Sequence, residues 1–194
     1  QMATWAAEAC GARPDEALVM STGVIGEMLP MEKIRQGILA ASQQLGEDED
    51  ALERAARGMM TTDTVPKIRG REVTIDGRKI TVVGITKGAA MIGPNMATML
   101  ALVMTDAPLA MGDAQAALTD AVEDSFNCIS VDGHMSTNDT VLLLANGAAF
   151  NSPSSHRGGD GGGALSGKAL AVFRATLDEV CEDLAQSIPA DGEG

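Results

Sequence analysis

Between Glu72 and Ile85 the chain alternates apolar and polar residues on both sides of Asp76-Gly77, and this pattern constrains its fold more than any other stretch. Period-two alternation puts every second side chain on one face of a strand, and an Asp-Gly pair supplies the positive backbone angles of a tight two-residue turn. Glu72 to Ile75 and Lys79 to Ile85 are therefore expected to form a β-hairpin, which runs directly into Lys87.

Around the hairpin the spacing changes to that of helices. Thr4 to Cys10 reads as the end of a helix stopped by Gly11 and Pro14, and Ala17 to Met20 as a short strand entering a loop at Ser21, Thr22 and Gly23. Pro30 precedes a helix expected from Met31 to about Leu45, with Ile34, Ile38, Leu39 and Leu45 along an apolar face. Another is expected from Glu49 to Met59, its acidic start suiting the positive end of the helix dipole. Met96 to Met104, rich in Ala, Leu and Met, reads as a helix beginning at or near Thr98. Gly112 to Ser125 reads as a further helix, Phe126 to Val131 and Thr140 to Ala145 as paired strands, and Ser152 to Gly163 as a flexible surface loop. A last helix, Leu165 to about Ser187, carries Leu170, Phe173, Leu177, Val180, Cys181 and Leu184 at helical spacing. Strands and amphipathic helices alternating in groups indicate a layered α/β protein.

Charge and cysteine usage narrow the function. A net charge of -13 and a pI near 4.4 argue against nucleic acid or an anionic membrane surface as partner, because phosphate recognition needs clustered Lys and Arg. The acidic residues gather at Glu47 to Glu53, Asp120 to Asp124 and Asp178 to Asp183, as solvated helix faces. Cys10, Cys128 and Cys181 are odd in number and lack ligand spacing, which argues for reduced thiols and against a disulfide framework or a zinc site. No apolar run has the length of a membrane span. His134 and His156 lie in expected loops without a paired carboxylate, and the twelve methionines read as core filling.

The chemistry concentrates in KGAAMIGPNMATML, Lys87 to Leu100. A threonine hydroxyl is a weak nucleophile unless a base lies beside it. An α-amino group, with a reference pKa of about 7.7 to 8.0, is such a base. Cutting the Ala97-Thr98 bond would create nucleophile and base on one residue, and a helix starting there would lower the amine's pKa. An ordinary loop entering a helix capped by Thr98 has the same local pattern, and spacing alone does not separate the two readings.

This run resembles the processing segment of the ornithine acetyltransferase (glutamate N-acetyltransferase) family, whose precursors cut themselves before a threonine in a KGxxMxxPxxATML pattern. Lys87, Gly88, Met91, Pro94, Ala97, Thr98, Met99 and Leu100 all fit. VMSTGVIGEMLPMEKI from Val19, MTTDTVPK from Met60, ISVDGHMSTNDTVLLLANG from Ile129 and DGEG from Asp191 resemble further family blocks, in family order.

The resemblance implies an αββα sandwich and a self-cleaving enzyme that moves an acetyl group from N2-acetylornithine to glutamate in arginine biosynthesis. It implies cleavage at Ala97-Thr98, Thr98 as nucleophile, and Thr22 and Gly23 as the oxyanion hole, where a strand-end turn is the plain structural reading. It further implies that substrate is bound by Thr98, by Lys87 against its carboxylate, by Glu193 against its ammonium, and by a threonine of MTTDTVPK. That threonine is Thr61, with Thr62 and Thr64 as alternatives, in what is otherwise a hydrogen-bonded turn. Residues 1–97 are expected to be the end of an α chain and 98–194 the start of a β chain, with both outer ends of a longer precursor missing. The cleaved chains are expected to assemble as an α2β2 heterotetramer, in the cytoplasm or an organellar matrix. No metal or organic cofactor is implied, although acetyl-CoA is a candidate second donor. An amidohydrolase or aminopeptidase of the same fold, and a non-enzymatic interaction domain, are the rival readings.

Overall fold

The computed structural model describes residues 1–24, 26–89, 99–134, 136–150 and 163–192. They divide into two compact units, Gln1–Gly58 and Met59–Gly194.

The first unit is helical: α1 (Met2–Cys10), a 3-10 turn (Pro14–Glu16), α2 (Met31–Ser42) and α3 (Glu49–Met59), the last ending at the unit boundary. Gly11 closes α1 in the left-handed conformation, at φ 70°, where a glycine is the least strained residue. α1 packs on α2, and the Arg35 guanidinium lies 5.9 Å from the centre of the Trp5 ring. The strand expected at Ala17 to Met20 is absent: these residues are irregular, and no strand is found in this unit among the described residues to pair with them. α2 stops at Ser42, short of Leu45, which is 73% exposed.

The second unit holds a four-stranded sheet in the order β1-β2-β3-β4. β1 (Lys67–Ile75) and β2 (Arg78–Lys87) form the expected hairpin, extended at both ends. Asp76 and Gly77 both have positive φ, 51° and 74°, as a two-residue turn matching the strand twist requires.

β3 (Leu100–Thr105) overturns the helix expected over Met96 to Met104. Ala, Leu and Met favour helix locally, but this segment lies between two strands, antiparallel to β2 and parallel to β4 (Thr140–Ala145). Pairing on both edges satisfies its backbone while Leu100, Ala101 and Val103 are buried, and that tertiary gain outweighs propensity. The helix start expected at Thr98 itself lies outside the described residues.

The parallel β3-β4 pair needs a crossover, supplied by α4 (Met111–Glu123). The strand expected at Phe126 to Val131 is instead a 3-10 turn, Phe126–Cys128, followed by irregular chain. Phe126 and Ile129 are three apart, a turn spacing that sends both into the core.

α5 (Gly167–Ser187) packs on β1 and β2 and against α4. Phe173, Leu177, Val180, Cys181 and Leu184 are fully buried along it, facing Ile80, Val82, Ala101 and Val103 of the sheet in one core. A Cβ on Gly84 would lie 2.6 Å from Leu184 Cδ1, so β2 needs glycine where α5 crosses it. The unit is thus a layered α/β structure, with one sheet and one helical layer of the expected sandwich among the described residues.

The surface readings fare unevenly. All three cysteines are free, and burial pushes the Cys181 thiol up to about 12. Most described methionines are not core: Met99 is buried, whereas Met28 and Met111 are almost fully exposed. His134 is exposed as expected, but its Nδ1 lies 3.5 Å from Asp132 Oδ1, so it has a neighbouring carboxylate. His156 and the loop expected over Ser152 to Gly163, apart from Gly163 itself, lie outside the described residues.

Candidate active site

The sheet register places Lys67 opposite Thr86, Lys87 opposite Leu100, and Leu100 opposite Thr140. One end of the sheet thus collects the start of β1, the end of β2 and the starts of β3 and β4. Loop residues from distant parts of the sequence converge on this end.

Asp63, in the loop before β1, is the first organiser. Its Oδ1 accepts the Gly88 N–H and the Lys67 ammonium, each at 2.7 Å, and its Oδ2 accepts the Thr61 N–H at 3.2 Å. Burial would raise the Asp63 carboxyl, but these donors outweigh it and hold it below its ordinary value. Lys67 also reaches Asp191 Oδ2 at 2.5 Å, in the 3-10 turn after α5. Asp191 accepts the Thr64 N–H at 2.9 Å and the Thr64 hydroxyl as well. Removing charges from water is costly, and this arrangement offsets the cost with opposite charges and hydrogen bonds at short range.

Lys87 is 1% exposed. Burial pushes its ammonium pKa down, opposed by the carboxylates of Asp63 and Asp139. Asp139, just before β4, accepts the Met99 N–H on Oδ1 at 2.9 Å. Burial pushes its carboxyl up against the pull of that N–H, of nearby Ser136 and of Lys87. Lys87 is thus a buried cation flanked by two acidic side chains at the end of β2.

Of the residues expected from sequence, Lys87 and the Thr61 loop come together through Asp63. Thr61, Thr62 and Thr64 are all exposed, and the Thr64 hydroxyl is committed to Asp191. Thr22 and Gly23 lie in the first unit on an irregular stretch, and a Cβ on Gly23 would meet Leu29 Cδ2 at 3.3 Å. Ala97, Thr98 and Glu193 lie outside the described residues. Sequence reasoning missed Asp63, Lys67, Asp139 and Asp191. Each lies inside a family-like block; Asp63 and Lys67 pair four residues apart within one block, whereas nothing local signals the pairing of Lys67 with Asp191 or of Asp139 with Met99.

The second unit is accordingly an α/β domain with a buried lysine-carboxylate site at its strand ends. The chain belongs to the ArgJ family, whose model matches residues 1–194. It is 46% identical to the mitochondrial arginine biosynthesis bifunctional protein ArgJ of Postia placenta, over 94% of this chain and 42% of that protein. The arginine biosynthesis bifunctional proteins ArgJ of Methylococcus capsulatus and Geobacter sulfurreducens are 46% and 48% identical over 95% and 97% of this chain. The chain spans 42% and 45% of those two proteins. An L-aminopeptidase D-Ala-esterase/amidase of Ochrobactrum anthropi, described as a variant of the Ntn hydrolase fold, matches 66% of this chain and 40% of its own with a TM-score of 0.42 and 13% identity.

Proposed function

We propose that this protein is a self-processing acetyltransferase of arginine biosynthesis, cut between Ala97 and Thr98 and moving an acetyl group from N2-acetylornithine to glutamate. The observation that carries the reading is the family match along the whole chain, with the threonine-containing segment intact.

Thr98 Oγ attacks the acetyl carbonyl while the α-amine of the same residue takes the hydroxyl proton. The oxyanion is stabilised by the Thr22 hydroxyl and the Gly23 N–H. As the tetrahedral intermediate collapses, the amine returns the proton to the amide nitrogen, ornithine leaves, and the acetyl group stays on Thr98 as an ester. The glutamate amino group then attacks that ester, and its displaced proton returns to the threonine oxygen. Lys87 pairs with the substrate carboxylate, Thr61 hydrogen-bonds substrate and Glu193 pairs with the side-chain ammonium.

Support for these roles is physical. Lys87, at the end of β2, is the cation of the family-like segment, and a carboxylate is the substrate group that an ammonium pairs with. Thr61 has its backbone held by Asp63 while the residue stays exposed, and Thr64 is already engaged. No step uses a metal or organic cofactor.

The relatives' designation as bifunctional favours one second reading, in which acetyl-CoA also acetylates Thr98 or glutamate. Residues 1–97 and 98–194 would belong to the α and β chains of an α2β2 heterotetramer. The compartment would be a bacterial cytoplasm or a mitochondrial matrix; no helix among the described residues is long and apolar enough to cross a membrane.

Mass spectrometry of the purified protein should find fragments meeting at Ala97 and Thr98, and an acetyl group on Thr98 after exposure to N2-acetylornithine. Thr98→Ala should abolish both cutting and transfer, and a Thr98→Ala protein retaining full transfer would sink the mechanism. Assays with each donor decide between one activity and two, and hydrolysis exceeding transfer to glutamate would favour an amidohydrolase.

A further inference from the structure

Both oxygens of the Asp63 carboxylate hold backbone, and they hold it in two distant parts of the chain. The side chain is fully buried. Its Oδ2 accepts the N–H of Thr61, two residues back, at 3.2 Å, and its Oδ1 accepts the N–H of Gly88, 25 residues on, at 2.7 Å. Lys67 supplies the countercharge through Oδ1 and has Asp191 as a second carboxylate. That ion pair uses one oxygen of Asp63 and requires neither backbone contact.

The two contacts fall on the backbone of two residues with proposed substrate roles. A peptide unit is planar, so holding the Gly88 N–H restrains the whole unit that joins Gly88 to Lys87. Gly88 has φ 151°, a value that glycine adopts and a residue with a Cβ rarely does. β2 therefore ends at Lys87 against a glycine whose N–H Asp63 fixes. At the other oxygen, Thr61 is held by its N–H while the residue stays exposed. Since a carboxylate is rigid, one side chain sets the distance between the Thr61 loop and the end of β2.

We infer that Asp63 is a positioning residue for substrate binding, fixing the spacing of Thr61 and Lys87 so that the hydroxyl of one and the ammonium of the other meet the same substrate. This rests on the roles of Thr61 and Lys87 under the proposed function. Asp63 touches no substrate in this scheme and acts through backbone. The binding it organises is shared by ground state and transition state, so its loss raises KM more than it lowers kcat.

The test uses Asp63→Asn in the full chain, read by KM and kcat for N2-acetylornithine and by hydrogen exchange at the Thr61 and Gly88 amides. Asparagine has one acceptor oxygen and one NH2 donor, so in either orientation one of the two backbone N–H groups faces a donor. Exchange at Thr61 or Gly88 should speed, and KM should rise about tenfold with kcat within about threefold. Groups that act as a unit are not additive, so in a Thr61→Ala background the same substitution should raise KM by about threefold or less. A residue needed only for folding lowers Tm without moving KM, as Phe173→Leu on the buried face of α5 should show. An unchanged KM in Asp63→Asn would overturn the inference, as would unchanged exchange at both amides or a full tenfold rise in the Thr61→Ala background. Should Asp63→Asn not fold, Asp63→Glu decides on the same criteria, since it keeps a charge for Lys67 but carries both oxygens one methylene further out. An unmodified protein that moves no acetyl group from N2-acetylornithine overturns the proposed function and this inference with it. One that does, beside an Asp63→Asn with unchanged KM, overturns the inference alone.

Discussion

Lys67 Nζ and Asp191 Oδ2 meet at 2.5 Å although 124 residues separate them in sequence. The pair ties the first residue of β1 to the turn after α5, and Asp63 completes a nearly closed cluster of one cation and two carboxylates.

Replacing Lys67 with methionine keeps much of its volume but leaves Asp63 and Asp191 buried without their shared cation. Loss of one partner of a buried pair costs about 3–5 kcal/mol, so Lys67→Met should shift the urea midpoint sharply downward. A loss below about 1 kcal/mol would show that the cluster contributes no more than a surface pair.

Acid should weaken the same cluster. Burial alone would raise Asp191, but the Lys67 ammonium and the Thr64 donors outweigh it and hold its carboxyl at about 2, against an ordinary 3.8. Between those values the unfolded chain binds a proton that the native one does not, so stability is full above the unfolded value and falls as pH drops toward about 2. Asp63, also lowered, acts with the same sign. Asp191→Asn should flatten this acid limb in Tm measured against pH, and an unchanged limb would remove Asp191 from the account.

Thr61 and Thr64 should separate by function. Thr64→Ala removes a hydroxyl bonded to a charged group and should cost about 1.5–3 kcal/mol, with little effect on KM. Thr61 is exposed like Thr64, but it is held through its backbone N–H, so Thr61→Ala should change stability by no more than about 0.5 kcal/mol, while raising KM for N2-acetylornithine. Equal KM effects from both would return the choice of substrate-binding threonine to open ground.

Lys87 should give the enzyme an early alkaline limb. Burial lowers its pKa below 10.5, only partly opposed by Asp63 and Asp139. The native lysine thus loses its proton before an unfolded one does. In that window the unfolded chain binds more protons, so stability rises with pH toward 10.5 as substrate binding wanes. KM for N2-acetylornithine should climb at a pH below the ordinary lysine range. Lys87→Met should raise KM at every pH and lose the limb; a Lys87→Met enzyme with the limb intact would assign it to another group.

Local sequence determined the elements whose information is local. The Asp76-Gly77 turn carries its own backbone preference, and α3 and α5 carry their helical periodicity, so these stand close to where the residues place them. The family blocks likewise marked Lys87 and the Thr61 loop, because those are runs of adjacent residues. Tertiary structure decided the rest. Leu100 to Thr105 has helix-favouring residues and became a strand because β2 and β4 pair with both its edges; Phe126 to Val131 looked like a strand and became a turn because the core takes Phe126 and Ile129. Asp63 and Lys67 pair four residues apart, but Asp139 and Asp191 acquire their roles only when the fold brings distant segments together, since a charge pair depends on distance in space and leaves no periodicity in the chain.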